Sequence, residues 1–89
     1  MLASSETIVR MPDGVALHAR PAGLFVRTAA GFRSDITVSA GGRSANAKSI
    51  LSILALGARG GTALELRAEG EDAGPALTAL AACVSGLVE

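Results

Sequence analysis

Polar and apolar residues change places along this chain with two periods. Over residues 6–11, Thr7, Val9 and Met11 fall on one side and Glu6 and Arg10 on the other, which predicts a strand with Val9 and Met11 inward; Ile8 interrupts the alternation. Pro12-Asp13-Gly14 signals a turn. Ala22, Phe25, Val26 and Ala29 then recur at i, i+3, i+4 and i+7, one face of a helix from about Ala19 to Ala30, with Gly31 as its C′ residue and Leu24, Arg27 and Thr28 outward. Residues 34–40 return to period two, with Ile36 and Val38 on one face and Asp35, Thr37 and Ser39 on the other. Gly41-Gly42 predicts a hairpin turn into a short strand, Arg43-Ser44-Ala45-Asn46.

Residues 47–57 predict a short second helix, with Ser49 placed to cap it and Gly57 to close it. Ile50, Leu51, Ile53, Leu54 and Leu56 cover most of its circumference, so some face outward, either under a neighbouring element or as a partner-binding patch. Gly60-Gly61 turns the chain into the cleanest strand pattern, 62–68, with Leu64, Leu66 and Ala68 inward and Ala63, Glu65 and Arg67 outward. The acidic loop Glu69-Gly70-Glu71-Asp72 ends in a predicted N-cap, Asp72. A last helix follows, with Leu77, Leu80, Val84 and Leu87 along one face. The order β-α-β-β-α-β-α predicts an α+β open-faced sandwich, a four-stranded, mostly antiparallel sheet covered on one face by three helices, formed as one domain over residues 1–89.

Composition narrows the function. The chain is 49% hydrophobic, much of it alanine, which predicts a globular fold with a modest core. Eight basic and eight acidic residues leave no net charge, and there is no Trp or Tyr; both facts argue against a nucleic-acid partner. The single cysteine, Cys83, rules out an internal disulfide and multi-cysteine metal sites, and its helical context predicts a small buried apolar role. No metal or other cofactor is expected. The first residues lack the features of a signal peptide, and no apolar stretch is long enough to span a bilayer. A soluble cytoplasmic protein is expected, beginning as a freestanding chain at Met1.

The candidate chemistry lies in Leu17-His18-Ala19-Arg20-Pro21-Ala22, which contains the only histidine. Proline is tolerated in a first helical turn because its missing N–H has no intrahelical partner there, so His18 stands where a helix starts. First-turn amides and the helix dipole favour an anion, and the guanidinium of Arg20 suits phosphate oxygens. His18 is thus a candidate nucleophile for a phosphoryl group, although position alone leaves a cap or surface role open. A second histidine, a carboxylate pair, a G-x-S-x-G elbow and a phosphate-binding glycine loop are all lacking. The chain therefore reads as a carrier worked on by other enzymes rather than a self-contained enzyme.

The His18 segment resembles the active-site signature of the HPr family, the histidine-containing phosphocarriers of the bacterial sugar phosphotransferase system. The resemblance extends to Gly31-Phe32, Ile36-Thr37-Val38, Ala47-Lys48-Ser49-Ile50, Leu56-Gly57, Gly61-Thr62 and Ala68-Glu69-Gly70-Glu71-Asp72, and so covers almost the whole chain. It implies that His18 accepts a phosphoryl group on Nδ1 from phosphorylated Enzyme I and yields it to EIIA domains of sugar transporters, with Arg20 stabilising the phosphoryl charge. It further implies a docking face of Ala19, Leu24, Arg27, Ile50, Leu51 and Leu54 on a monomer. Ser49 matches the serine on which an HPr kinase/phosphorylase acts in many bacteria. Two departures from the family pattern stand out. Ala16 occupies the place of a usual glycine before Leu17-His18, a place where positive φ suits alanine poorly. Ala30 and Ser52 stand where the family's docking face is often basic.

Two other readings compete. One is a non-carrier regulatory binding protein of the same fold acting through the Ser49 face; members of that kind lack the active histidine, so His18 counts against it. The other is an unrelated α+β ligand-binding domain in which His18 is structural, and no feature of the sequence marks a ligand cleft for it.

Overall fold

A computed structural model describes residues 3–88. The elements follow the predicted order: β1 (Ser4–Arg10), α1 (Ala19–Ala30), β2 (Asp35–Ala40), β3 (Arg43–Asn46), α2 (Ile50–Leu56), β4 (Ala63–Glu69) and α3 (Ala73–Ser85). The strands form one sheet in the order β1-β4-β2-β3, every neighbour antiparallel. The last strand in sequence therefore lies inside the sheet, between the first two. The three helices cover one face and the other face is open, which is the α+β open-faced sandwich expected.

The period-two patterns set the two faces. Leu64, Leu66 and Ala68 of β4 are almost completely buried, as are Ile36 and Val38 of β2, against Phe25 of α1, Ile53 of α2 and Leu80 and Val84 of α3. Each large apolar side chain taken fully out of water contributes about 1.5–3 kcal/mol. Ile8, which broke the alternation, is 67% exposed on the open face between Glu6 and Arg10. The inward positions of β1 are Ser5, Thr7 and Val9, all half-buried, and Met11 is buried one residue beyond the strand.

Four local expectations change. Gly31 ends α1 with φ −74° and not in the left-handed region, because two tight bonds, Gly31 N–H to Thr28 O and Phe32 N–H to Ala29 O, carry the chain straight into the next turn. The second helix starts at Ile50 and not at Ala47: the Ala47 amide donates to Ile36 O, which holds that residue to the sheet, and Ser49 takes the cap position. Gly57 closes α2 in the left-handed conformation, as expected. Cys83 is half-buried at the edge of the core rather than fully inside it.

Asp72 stands at the N-cap position of α3 but makes no cap bond with its side chain. Its carboxylate instead accepts from Arg33 N–H (2.8 Å), Ser34 N–H (2.9 Å) and the Ser34 hydroxyl (2.5 Å). The start of β2 presents two amides and a buried hydroxyl together, and three converging donors outcompete a single helix amide. Gly70 belongs to the same lock, since a Cβ there would lie 2.6 Å from Ser34 Oγ. The Ser34 hydroxyl and the two amides hold the Asp72 carboxyl down to about 2.

The loop between β1 and α1 is pinned by the segment after α2. Met11 N–H donates to Thr62 O (2.8 Å), Gly61 N–H to Met11 O (3.0 Å) and Leu17 N–H to Ala58 O (2.9 Å). Val15 and Leu17 point into the core, 7% and 1% exposed. The positive φ of this loop falls at Gly14 (+78°), and no described residue other than glycine has positive φ, Ala16 included. The alanine in place of the family's glycine is therefore accommodated without backbone strain.

Two outcomes follow from these contacts. If Ala16 holds an ordinary backbone conformation, Ala16→Gly lowers stability by about 0.5–1 kcal/mol through the freer unfolded chain, and relieves nothing; urea unfolding of the two proteins measures it. The lowered Asp72 carboxyl stabilises the fold above its ordinary value of 3.8, and that contribution fades as pH falls from about 4 through about 2. Asp72→Asn should lower the melting temperature at pH 7 and remove this part of the acid dependence; an unchanged acid limb in a thermal series over that range would refute the lock.

Candidate functional site

His18 is the N-cap residue of the twelve-residue helix α1, with extended backbone (φ −93°, ψ −165°) and an exposed side chain that makes no cap hydrogen bond to the helix. Its own amide donates to Ala16 O (2.8 Å), and its carbonyl accepts from Ala22 N–H (2.8 Å), the first regular bond of the helix. The buried Leu17 on one side and the buried Pro21 and Ala22 on the other hold this exposed residue between two anchors.

This places specific donors in the helical turn that follows His18. The amides of Ala19 and Arg20 belong to the first turn and have no intrahelical acceptor; Pro21 has no N–H to offer. The helix dipole adds partial positive charge at the same end. Arg20 is exposed in that turn. Among the described residues, ion pairs form only at Arg67, with Glu6 and Glu69 on the open face of the sheet, and no acidic residue lies in the first turn of α1. Among the described residues no carboxylate therefore pairs with Arg20. The arrangement can hold a dianionic group over the helix start, next to a nucleophilic nitrogen.

The surface around this end is apolar and basic. The helices α1 and α2 pack beside each other. Leu24 (43% exposed), Ile50 (39%), Leu51 (76%) and Leu54 (39%) lie on them with their side chains in solvent, while Ile53 and Leu56 of the same short helix are buried. This resolves the apolar excess of α2: a neighbour covers two of the five residues and the other three stay outside. Ala19 and Arg27 are exposed on α1, the latter with Nε 3.4 Å from Gly23 O. Ser49 caps α2 by accepting from Ser52 N–H (3.3 Å) and remains half-exposed. Next to it, Lys48 Nζ donates to Phe32 O (2.7 Å) and ties the start of α2 to the end of α1.

His18, Arg20 and the first-turn amides therefore share one end of α1, while Ser49 opens the neighbouring helix and the apolar residues lie on the two helices. A concavity among the described residues lies elsewhere, on the open face of the sheet between Glu6, Thr37, Glu65 and Arg67. It has no residue in common with the His18 loop and is lined by neither histidine nor cysteine, so the residue chemistry and not the hollow points to the site. No group of three or more His, Cys, Asp or Glu side chains able to hold a metal occurs among the described residues. The pinning of Leu17 by Ala58 was not legible in the sequence, because it joins segments about forty residues apart through backbone atoms that carry no sequence signal.

Comparison with known proteins agrees with this geometry. The family described as "PTS HPr component phosphorylation site" matches residues 4–85. The phosphocarrier protein HPr of Haemophilus influenzae is 45% identical over 71 residues, which make up 80% of this chain and 84% of that protein. The crystal structure of a phosphocarrier protein HPr from Bacillus anthracis superposes with a TM-score of 0.87 at 41% identity, covering 92% of this chain and 98% of that one. The solution structure of Crh, the catabolite repression HPr of Bacillus subtilis, matches with a TM-score of 0.75 at 42% identity, covering 97% and 100%. The match along nearly the whole chain, on a fold whose lone histidine stands exposed at a helix start, means that this chain belongs to the HPr family of phosphocarriers of the phosphotransferase system.

Proposed function

We propose that His18 is the phosphoryl acceptor, taking the group from phosphorylated Enzyme I and passing it to EIIA domains of sugar transporters. The observation that carries this reading is the exposed imidazole at the start of α1, beside Arg20 and two unspent amides. In the forward step the lone pair of an unprotonated Nδ1 attacks phosphorus, a nitrogen–phosphorus bond forms, and the bond from phosphorus to the donor breaks, its electrons leaving with the donor. The three peripheral oxygens carry the charge through the transition state. Arg20, the Ala19 and Arg20 amides and the dipole of α1 stabilise it there. The same groups stabilise the phosphohistidine, and because the site is open and the described residues of the first turn include no carboxylate to activate water, the phosphoryl group is held for the next protein instead of being hydrolysed.

Ala19, Leu24, Arg27, Ile50, Leu51 and Leu54 form the docking face for both partners. The apolar members supply burial, and Arg27 supplies orientation toward acidic partner residues. A single copy of the chain holds every group that the transfer needs, and the cytoplasm is where both partners would meet it. Among the described residues no helix is long and apolar enough to cross a membrane.

Ser49 is the proposed regulatory position, open to an HPr kinase/phosphorylase. A phosphate there would put close to two negative charges next to Ile50 and Leu51, in the middle of the docking face, and disfavour Enzyme I. The likeness to Crh gives the non-carrier regulatory reading some support. His18 and its intact surroundings favour the carrier.

Incubation with phosphoenolpyruvate and Enzyme I should add one phosphate that is acid-labile and alkali-stable, read by intact mass. His18→Ala should abolish it with little change in melting temperature, and undiminished uptake by that variant would refute the assignment. Arg20→Ala should slow transfer by about 10²–10³-fold, the usual size for loss of one transition-state donor. Ser49→Asp should raise the KM of Enzyme I for this protein while leaving the fold intact; an unchanged KM would remove Ser49 from the docking face.

A further inference from the structure

We infer that Arg59, in the loop between α2 and β4, is a second phosphoryl-binding guanidinium for His18; this deepens the reading of His18 as acceptor and rests on it. The loop lies against the His18 segment along its length. Leu17 N–H donates to Ala58 O (2.9 Å), a Cβ on Gly60 would lie 2.6 Å from Gly14 N, and Gly61 N–H donates to Met11 O (3.0 Å). These contacts run in opposite chain directions, so the two segments are antiparallel. Arg59 falls across from Ala16 and diagonal to His18, a relation within reach of a long side chain. Ala58 and Leu17 are buried, 4% and 1% exposed, and the residue after each, Arg59 and His18, is exposed.

The single bond between Leu17 and Ala58 bounds the separation. The bonded oxygen belongs to the peptide that leads into Arg59, and the bonded nitrogen to the residue before His18. With standard backbone dimensions the Cα atoms of Arg59 and His18 lie within about 10 Å. An extended arginine and a phosphorylated imidazole together span that distance. The neighbouring positions, Ala16 and Gly57, bring no long side chain to this surface.

The Arg59 guanidinium is also uncommitted. Among the described residues it enters no ion pair and no side-chain hydrogen bond, and only its backbone N–H is used, toward Thr62 Oγ1 (3.3 Å). Two other arginines differ: Arg10 Nη1 donates to Gly61 O (2.6 Å) and Arg43 Nη1 to Ala55 O (3.4 Å). A phosphorylated imidazole carries close to two negative charges, of which Arg20 matches one. Arg59 supplies the second positive charge from the other segment. The backbone that carries it is fixed by its neighbours. Gly57 (φ +66°) and Gly61 (φ +79°) take the positive φ on either side, and Gly60 allows the close approach to Gly14. The cation is therefore in place before the phosphoryl group arrives, which lowers the cost of ordering it.

Two phosphoryl donors test this: phosphorylated Enzyme I, and phosphoramidate, a small anion that needs no partner protein. With phosphoramidate the bond from phosphorus to the donor nitrogen breaks, ammonia leaves, and the bond to the single histidine forms. Arg59→Ala should slow transfer from Enzyme I about tenfold and slow phosphoramidate as well, both differences shrinking as salt is raised. Arg59→Lys should recover most of each rate, because it keeps the charge. In the wild type treated with phosphoramidate, the Arg59 Nε–H resonance should move, and the phosphorus resonance should differ from that of Arg59→Ala. Thermal unfolding checks that each variant keeps its fold. Unchanged rates with both donors overturn the inference. So does a loss confined to Enzyme I with the Nε–H resonance unmoved, which would make Arg59 a contact to the partner and not to the phosphoryl group. A wild type that Enzyme I leaves unphosphorylated would refute the carrier reading instead, and the phosphoramidate rates and the two resonances would still decide the role of Arg59.

Discussion

Burial of one face of β4 is the constraint on which the rest of the structure depends. This strand pairs with β1 on one side and β2 on the other, and Leu64, Leu66 and Ala68 together form the floor against which all three helices pack. A shift of one residue in its register would send these side chains to the open face and bring Glu65 and Arg67 into the core, so the register admits no slippage. With β4 set, the connection into α1 and the connection out of α2 meet at one end of the sheet. Leu17 bonds Ala58 there, and the reactive loop acquires its place.

The proposed role of His18 rests on a loop that combines a buried residue with an exposed one. Leu17 anchors the backbone in the core and His18, its neighbour, faces solvent at the start of α1. On the proposed reading His18 is presented to two different proteins in turn, and an enclosed pocket would obstruct both. Electrostatic support must then come from groups that do not surround the ligand: the amides of a single helical turn, the helix dipole and guanidinium charge. These stabilise an anion without adding the base that would activate water against it.

Charge is arranged to match this division of labour despite a net charge of zero. Glu6, Glu65, Glu69 and Asp35 stand on the exposed face of the sheet, and Asp72 is held at the far end by Arg33 and Ser34. Arg20 and Arg27 stand on α1, the first beside His18 and both among the apolar residues of the helical face.

Sequence by itself determined the element order, the two faces of each strand, the Gly41-Gly42 hairpin, the closing of α2 at Gly57 and the position of His18 at the start of α1. All of these follow from side-chain periodicity and from backbone preferences of neighbouring residues, which act over a few positions and are written locally. Tertiary structure alone decided the rest. Asp72 looked like a helix cap, and became the partner of Arg33 and Ser34 because donors 38 and 39 residues away converge on it. Ala16 looked strained by comparison with relatives, and is relaxed because Gly14 takes the positive φ in a loop whose shape is set by Ala58 and Thr62. Ile8 looked like a fault in a strand, and proves to be an exposed position because its side chain lies on the face of the sheet that no helix covers. In each case the deciding interaction joins segments distant in sequence, through backbone groups or through the absence of a neighbour, and neither leaves a mark in the local pattern of residues.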